Sequence, residues 1–306
     1  MNRTWKSPRI WGILILAVLI ISGIGFAWKQ HQQSQAQRQS GQQFVQTSPD
    51  RPLYVLVVGT DGNTPEQANF IGLAAVNTDK KHIDFIMMPD NTKIEGRRGK
   101  GVQELQDVYS EGGLPLLQAV VEDMFHIPIP FYAIFSADTF VRLVDMNGGL
   151  PLYVEQNMYH ADGDGTTDIN LFQGYQNLTG QEALGYMRYI DSDGYLFRTQ
   201  RQERLVKLFY DDRQHRFGLS NMLFMYRFWN QVDSNIPAKD MASLAFAFRN
   251  VPASDIQFYI LPGENTIDAE TKGKTLWNYD PVEGQKIIGT TNNAIAPAPQ
   301  SEAAAP

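Results

Sequence analysis

An α/β fold is the class this sequence predicts: a layered α-β-α domain around a central mixed sheet, preceded by one transmembrane helix. Three observations lead there. Short runs of strand-forming residues such as Leu53–Val58 (LYVLVV) interleave with longer segments of helical period, the pattern of α/β layers. Glycines, prolines and capping residues punctuate the ends of those segments. Ahead of them lies a wholly uncharged run, Ile10–Trp28 (IWGILILAVLIISGIGFAW).

At about 1.5 Å of rise per residue, that run approaches the roughly 30 Å hydrocarbon thickness of a bilayer. Trp11 and Trp28 stand at its ends, where indole rings favour the interface. Arg3, Lys6 and Arg9 precede it, and only Lys29 follows closely. That asymmetry places residues 1–9 in the cytoplasm and the main domain outside a cell membrane crossed once. A cleaved signal peptide would carry a shorter apolar core followed by small residues, whereas Ser22, Gly23 and Gly25 lie inside the run. Residues 29–50 are rich in Gln and Ser and read as a polar tether. Residues 294–306 are Ala/Pro-rich and read as a disordered tail.

The folded domain is expected over 51–265, with 266–293 as a C-terminal extension. Leu53–Val58, Ile71–Val76 and Ile83–Met88 read as strands, with Asn77–Lys81 a turn between the last two. Leu114–Phe125 reads as a helix opened by Gly112-Gly113, with Pro115 in its first turn. Phe131–Phe135 and Leu150–Val154 are further strands. Between them Ser136–Met146 has Phe140, Leu143 and Val144 on one face and stops at Gly148-Gly149. Thr179 and Glu182 have capping-box spacing and open a helix carrying Ala183, Leu184 and Met187. A longer helix should run from about Arg198 to Asp211, and Ile256–Leu261 is a late strand. The aromatic segment Met222–Asn230 (MLFMYRFWN) reads as core packing in preference to a membrane face.

Hydrophobic residues make up 43% of the 306, enough for a sizeable core. The net charge of −7 argues against a general nucleic-acid binder but leaves room for a local basic pocket. The absence of cysteine fits an exported protein without disulfides. There is no phosphate-binding glycine loop with lysine, no zinc-helix motif and no nucleophile elbow. His82, His126, His160 and His215 are scattered and read as surface or structural. Asp162–Asp168 has carboxylates at a calcium-loop spacing but lacks the downstream bidentate glutamate, so it reads as a polar turn.

The chemistry-bearing segment is Arg188–Leu208. Arg198, Arg201, Leu205 and Leu208 recur at helical spacing, so two arginines extend a buried stripe towards a helix start. Cations there oppose the helix dipole, and an anion would satisfy both the guanidinium groups and the free N–H groups. A phosphate or pyrophosphate pocket completed by Arg188 is one reading. Internal ion pairs to Asp191, Asp193 or Glu203 are the other. Asp61 follows a strand and Gly59, a common position for a site residue in α/β sheets and equally for a turn or cap.

Together these pieces resemble the LytR-CpsA-Psr family of cell-envelope proteins. The resemblance is strongest over 52–212 and rests on LYVLVVGTD at Leu53–Asp61, VYSEGG at Val108–Gly113 and FVRLVDMNGGLPLYV at Phe140–Val154. INLFQGYQNLTGQEALGYMR at Ile169–Arg188 and FRTQRQ at Phe197–Gln202 complete it in the same order. It implies an α/β domain with an apolar tunnel for a polyprenyl chain. It implies transfer of a glycopolymer from a polyprenyl-pyrophosphate carrier to peptidoglycan or another envelope polymer, aided by Mg2+. It also implies membrane and envelope partners, no nucleic acid, and a historical label of transcriptional attenuation. Carried onto this sequence, Asp61, Arg188 and Arg198 are the catalytic candidates. Arg188, Arg198, Arg201 and Gln202 would bind pyrophosphate, and Asp61, Asn69 and Asn91 fall at metal positions.

The sequence departs from the family at several of these places. Gln67-Ala68-Asn69-Phe70 stands where members carry Arg-Ser-Asp-Thr, and Pro89-Asp90-Asn91 where they carry Pro-Arg-Asp. Ile190 replaces the second arginine of Arg-x-Arg, and Tyr195 replaces an acidic residue. Asparagine brings no charge to a hard cation, so the metal site should be weakened. Asp90 falls one residue early, which on a strand would turn it to the opposite face. A phosphotransferase, a catalytically weakened lipid-binding homologue and a purely structural module all stay open at this point.

Overall fold

The computed structural model describes residues 52–293 except 63–65, 79, 96–100, 162, 164, 191–193, 215–217, 253–255, 269–270 and 272. The run Ile10–Trp28, the tether and the tail lie outside the described residues, as do Asp162, Asp164, Asp191, Asp193 and His215. Among the described residues no helix is long and apolar enough to cross a membrane.

The chain first lays down three consecutive strands, β1 (Leu53–Thr60), β2 (Ala68–Asn77) and β3 (His82–Met88). They pair antiparallel because short turns join them; in the second, the Asn77 side chain accepts from Lys80 N–H (2.8 Å). The short strands β4 (Lys93–Ile94) and β5 (Gln103–Glu104) lead into α1 (Leu105–Phe125). Gly113 leaves helical geometry (φ 62°, ψ −157°) and divides this helix into two segments across a kink, the second being the helix expected from Leu114.

Next come β6 (Phe131–Ser136) and α2 (Ala137–Asn147). The Ser136 hydroxyl caps α2 by accepting from Thr139 N–H (3.2 Å), and left-handed Gly148 and Gly149 end it (φ 89° and 92°). Four strands then form two antiparallel pairs: β7 (Leu150–Val154) with β10 (Gly174–Leu178), and β8 (Met158–Ala161) with β9 (Thr167–Leu171). Asp168 lies on this second pair, in contact with the His160 ring (2.5 Å). The capping box of Thr179 and Glu182 forms as expected and opens α3 (Gly180–Arg188). It is followed by α4 (Tyr195–Gln214), α5 (Gly218–Trp229), β11 (Asp233–Ser234), α6 (Ala238–Ala247) and β12 (Gln257–Ile260).

The central sheet has the order β11-β6-β1-β2-β3-β12 and is mixed, since β1–β6 and β3–β12 pair in parallel. Side-chain alternation divides it cleanly. Tyr54, Leu56 and Val58 face α1, while Leu53 and Val55 face the layer containing α5 and α6. Phe224, Phe228 and Trp229 are buried, so one face of the aromatic segment of α5 is core, while Leu223 and Tyr226 are exposed. A third core, between β7–β10 and helices α2–α4, centres on fully buried Tyr186.

Residues 266–293, an extension in the sequence reading, supply half of β13 (Gly263–Asp268) and all of β14 (Lys274–Tyr279) and α7 (Pro281–Asn293). They pack on the sheet layer: Ile288 joins the core beside α1, and the Trp277 indole donates to the Leu261 carbonyl (3.0 Å).

Candidate functional site

A cavity of about 260 Å³ lies between one face of the sheet and helices α2–α5. Its walls are apolar, with Val57, Phe70, Phe85, Phe135, Val206 and Phe228 among them. Gly72 lets the Phe85 ring of that wall lie against β2, since a Cβ there would strike it. Polar side chains gather as well, namely Asn69, Ser136, Arg188, Arg198 and Gln202. Arg198, Gln202, Leu205, Val206 and Phe209 form one stripe of α4 facing this space.

Arg198 is 7% exposed. One of its terminal nitrogens is bonded to the Asp90 carboxylate, and its guanidinium lies 4.8 Å from the Tyr195 ring centroid. Asp90 is also buried, and its other carboxylate oxygen has no partner. Burial pushes the Asp90 carboxyl above the ordinary carboxylate range; Arg198 opposes that push and nearby Glu104 adds to it. This pairing corrects the expectation that Asp90 would face away. The strand has ended at Met88, and Pro89 starts a turn closed by Thr92 N–H donating to Pro89 carbonyl (3.0 Å), so strand alternation does not reach Asp90. The internal pair anticipated for Arg198 therefore exists, with Asp90 as its partner; Glu203 instead pairs with Lys207.

Arg188 donates to the backbone carbonyl of Asp61 (3.3 Å), which ties the end of α3 to the loop after β1. The Asp61 carboxylate accepts from Gln67 N–H (3.1 Å) and so holds that loop closed. Gln202 donates to the Asn69 carbonyl (2.9 Å), placing α4 against β2 at the same end of the cavity. Arg188, Arg198, Gln202 and Asn69 thus line one space, with Asp61 one bond behind Arg188.

Arg201 and Asn91 do not line it. Arg201 turns to the Tyr189 carbonyl and stacks near the Tyr189 ring (5.4 Å), fixing the connection between α3 and α4. Asn91 is fully buried; its side-chain NH2 donates to the Thr275 carbonyl (3.0 Å) and its backbone carbonyl accepts from Trp277 N–H (3.0 Å). It joins the turn after β3 to β14. Of the oxygens at or beside the expected metal positions, Asp90 Oδ1 and Asn91 Oδ1 are buried without a partner among the described residues. Asp90 Oδ2 is bonded to Arg198 and the Asn91 side-chain NH2 to β14, and among the described residues no group of three His, Cys, Asp or Glu side chains could hold a metal. What the arrangement offers is an apolar chamber ending in guanidinium and amide donors, the requirements of an amphiphile with an anionic head.

Comparison with known proteins bears on the family and the fold. The LytR_cpsA_psr family model matches residues 18–293. The polyisoprenyl-teichoic acid–peptidoglycan teichoic acid transferase TagU of Bacillus anthracis is 26% identical over 219 residues, covering 66% of this chain and 70% of that protein. The regulatory protein MsrR of Staphylococcus aureus is 24% identical over 237 residues, 74% of this chain and 70% of its own length. An uncharacterized S. aureus protein is 26% identical over 224 residues, and there the chain spans only 55% of the relative's length. Among solved structures, B. subtilis TagV superposes with a TM-score of 0.70 at 18% identity, covering 82% of this chain and 99% of that one. TagT with bound octaprenyl pyrophosphate lipid superposes with a TM-score of 0.58 at 20% identity, covering 80% of this chain and 90% of that one. With the family model spanning most of its length and the same fold in both structures, the chain belongs to the LytR_cpsA_psr family.

Proposed function

We propose that this chain binds a polyprenyl-pyrophosphate-linked glycopolymer at the outer face of the membrane and passes it to peptidoglycan or a related envelope polymer. One observation carries the reading: an apolar cavity of about 260 Å³ is lined at one place by Arg188, Arg198 and Gln202. The polyprenyl tail would occupy the apolar part. The pyrophosphate would take up the guanidinium donors, Arg188 first, since it is bonded to a neutral backbone carbonyl where Arg198 is bonded to a carboxylate. An acceptor hydroxyl attacks the phosphorus that bears the polymer, the phosphoanhydride bond breaks, and polyprenyl phosphate leaves. The arginines stabilise charge on the non-bridging oxygens during that exchange. The run Ile10–Trp28 would serve as the anchor, with the N-terminus cytoplasmic, keeping the cavity within tether length of the bilayer. The relatives named as teichoic acid transferases support the transfer step.

A second reading is favoured by the Asp90–Arg198 pair: a homologue that binds the lipid-linked polymer and assists assembly without transfer. With one guanidinium neutralised and Asn69 and Asn91 bringing no charge to a cation, transition-state stabilisation would be reduced while binding survives. Lipid-pyrophosphate binding and single-turnover transfer, measured with and without magnesium in wild type and Arg198→Ala, test both. Weaker binding in Arg198→Ala is expected. Unchanged affinity removes the arginine site, and magnesium-independent binding with no transfer selects the second reading.

A further inference from the structure

A second recess lies on the far side of α4, between Arg204 and Leu208 of that helix and the β7–β10 pair, with a volume of about 810 Å³. Strand alternation sends Leu152 and Val154 into the core and turns Tyr153 outward on β7; on β10 it leaves Tyr175 outward. These two tyrosines are cross-strand neighbours, with ring centroids 4.9 Å apart and planes at 69°. Tyr153 is 45% exposed and Tyr175 is 88% exposed. Outward positions of a half-buried sheet normally hold polar residues, so two open aromatic rings beside a recess call for a ligand.

The polar part of the recess is built from within. Glu155 accepts from the Tyr186 hydroxyl (3.0 Å) and pairs with Arg204 (3.1 Å), and Arg204 also reaches that hydroxyl (3.3 Å). Tyr186 is fully buried; burial and the Glu155 charge push its hydroxyl up to about 12, so it stays a donor and keeps the carboxylate in place. Gln176 and Asn177 are each oriented by a bond to backbone, the Asn177 amide donating to the Gly148 carbonyl (3.1 Å). Glu155 and Arg204 are the charged residues of the lining, and they cancel.

The geometry points to a binding site for an uncharged stretch of a pyranose glycan chain in this recess. A pyranose has a C–H face that packs on the electron-rich face of a tyrosine ring, and equatorial hydroxyls that pair with planar carboxylate, guanidinium and amide groups. The neutral charge balance excludes a polyphosphate stretch and separates this recess from the cationic cavity across the helix. Arg198 and Arg204 are one to two turns apart along α4, about 9 Å of rise, so a chain seated here passes near the cavity where the head group is proposed to bind.

The full-length chain in detergent micelles is titrated by calorimetry with two neutral tetramers, one of β-linked N-acetylglucosamine and one of glucose. Saturable binding of at least one is expected. Tyr175→Ala weakens it about fivefold or more, equivalent to about 1 kcal/mol, and Tyr175→Phe, which keeps the ring, restores it. Lipid-pyrophosphate affinity of the same variants stays at the wild-type value, which separates this site from the lipid reading. Binding of neither tetramer, or equal binding by wild type and Tyr175→Ala, overturns the assignment. Loss of vesicle binding in Tyr175→Ala without any glycan binding also overturns it, in favour of a membrane contact.

Discussion

Asp90→Asn removes a charge at nearly constant shape, and the structure sets the direction and size of its effect. The Asp90 carboxylate is bonded to Arg198, so it occupies a donor that an anionic head group would use. A phosphate held by the remaining guanidinium edge would lie about 5 Å from that carboxylate. At an effective dielectric near 20 the repulsion is about 3 kcal/mol. Part of that is lost to relaxation, so the substitution should tighten lipid-pyrophosphate binding by about 1.5–3 kcal/mol, roughly 10- to 100-fold.

The same substitution leaves a buried guanidinium without its counter-ion. The ligand-free protein should therefore lose about 3 kcal/mol of stability, and saturating lipid should restore most of it. Calorimetric titration with a short-chain polyprenyl pyrophosphate measures the first effect. Thermal denaturation with and without that lipid measures the second. Weaker binding in Asp90→Asn would refute the reasoning: Asp90 would then be orienting Arg198 towards the ligand, not competing with it.

Three further outcomes follow from the same geometry. Val206→Trp fills the apolar cavity and should cut polyprenyl-pyrophosphate affinity at least tenfold, while inorganic pyrophosphate binding in the same titration stays within about twofold. Asn91→Ala removes the bond to Thr275 and should lower stability by about 1–2 kcal/mol in denaturant unfolding; lipid affinity with and without magnesium should not change, and a magnesium-specific loss would return Asn91 to the site. Lipid binding should strengthen as pH falls from neutrality into the raised range of the Asp90 carboxyl, above its ordinary 3.8, because protonation releases Arg198 while a diphosphate diester stays ionised. Titrations across that range in wild type and Asp90→Asn check the sign, since the variant should show no such slope.

Local periodicity was sufficient for much of this fold. The strands β1 to β3, the capping box at Thr179 and Glu182, and the glycine stop after α2 all depend on neighbours in sequence, and each formed where its signal stood. The inward placement of Arg198 followed from the same kind of spacing. Arg201 shows its limit: three residues along, it shares the broad buried face yet turns to Tyr189 and leaves the cavity. The placement of Asp90 is not legible locally, because its partner is 108 residues away and Pro89 ends the strand alternation before it. The walls given by Met225, Phe228 and Trp229 were legible as core but not as cavity lining, since an aromatic stripe has one pattern whether it meets side chains or a void.

The two functional readings diverge at one pair of residues, and differential binding tells what the pair implies. If the head group displaces Asp90 on arrival, the Asp90–Arg198 bond is broken in the ground state and only affinity suffers. If Arg198 stays with Asp90 until charge builds on the non-bridging oxygens, the exchange occurs in the transition state, where a freed guanidinium is worth most. In that case a negative residue beside Arg198 is compatible with transfer. It lowers the affinity for bound lipid without removing the donor from the step that needs it. The ratio of the two effects of Asp90→Asn therefore discriminates between them: tighter binding with an unchanged single-turnover rate places the exchange in binding, and a faster rate places it in chemistry, because breaking the Asp90–Arg198 bond is then no longer part of the barrier.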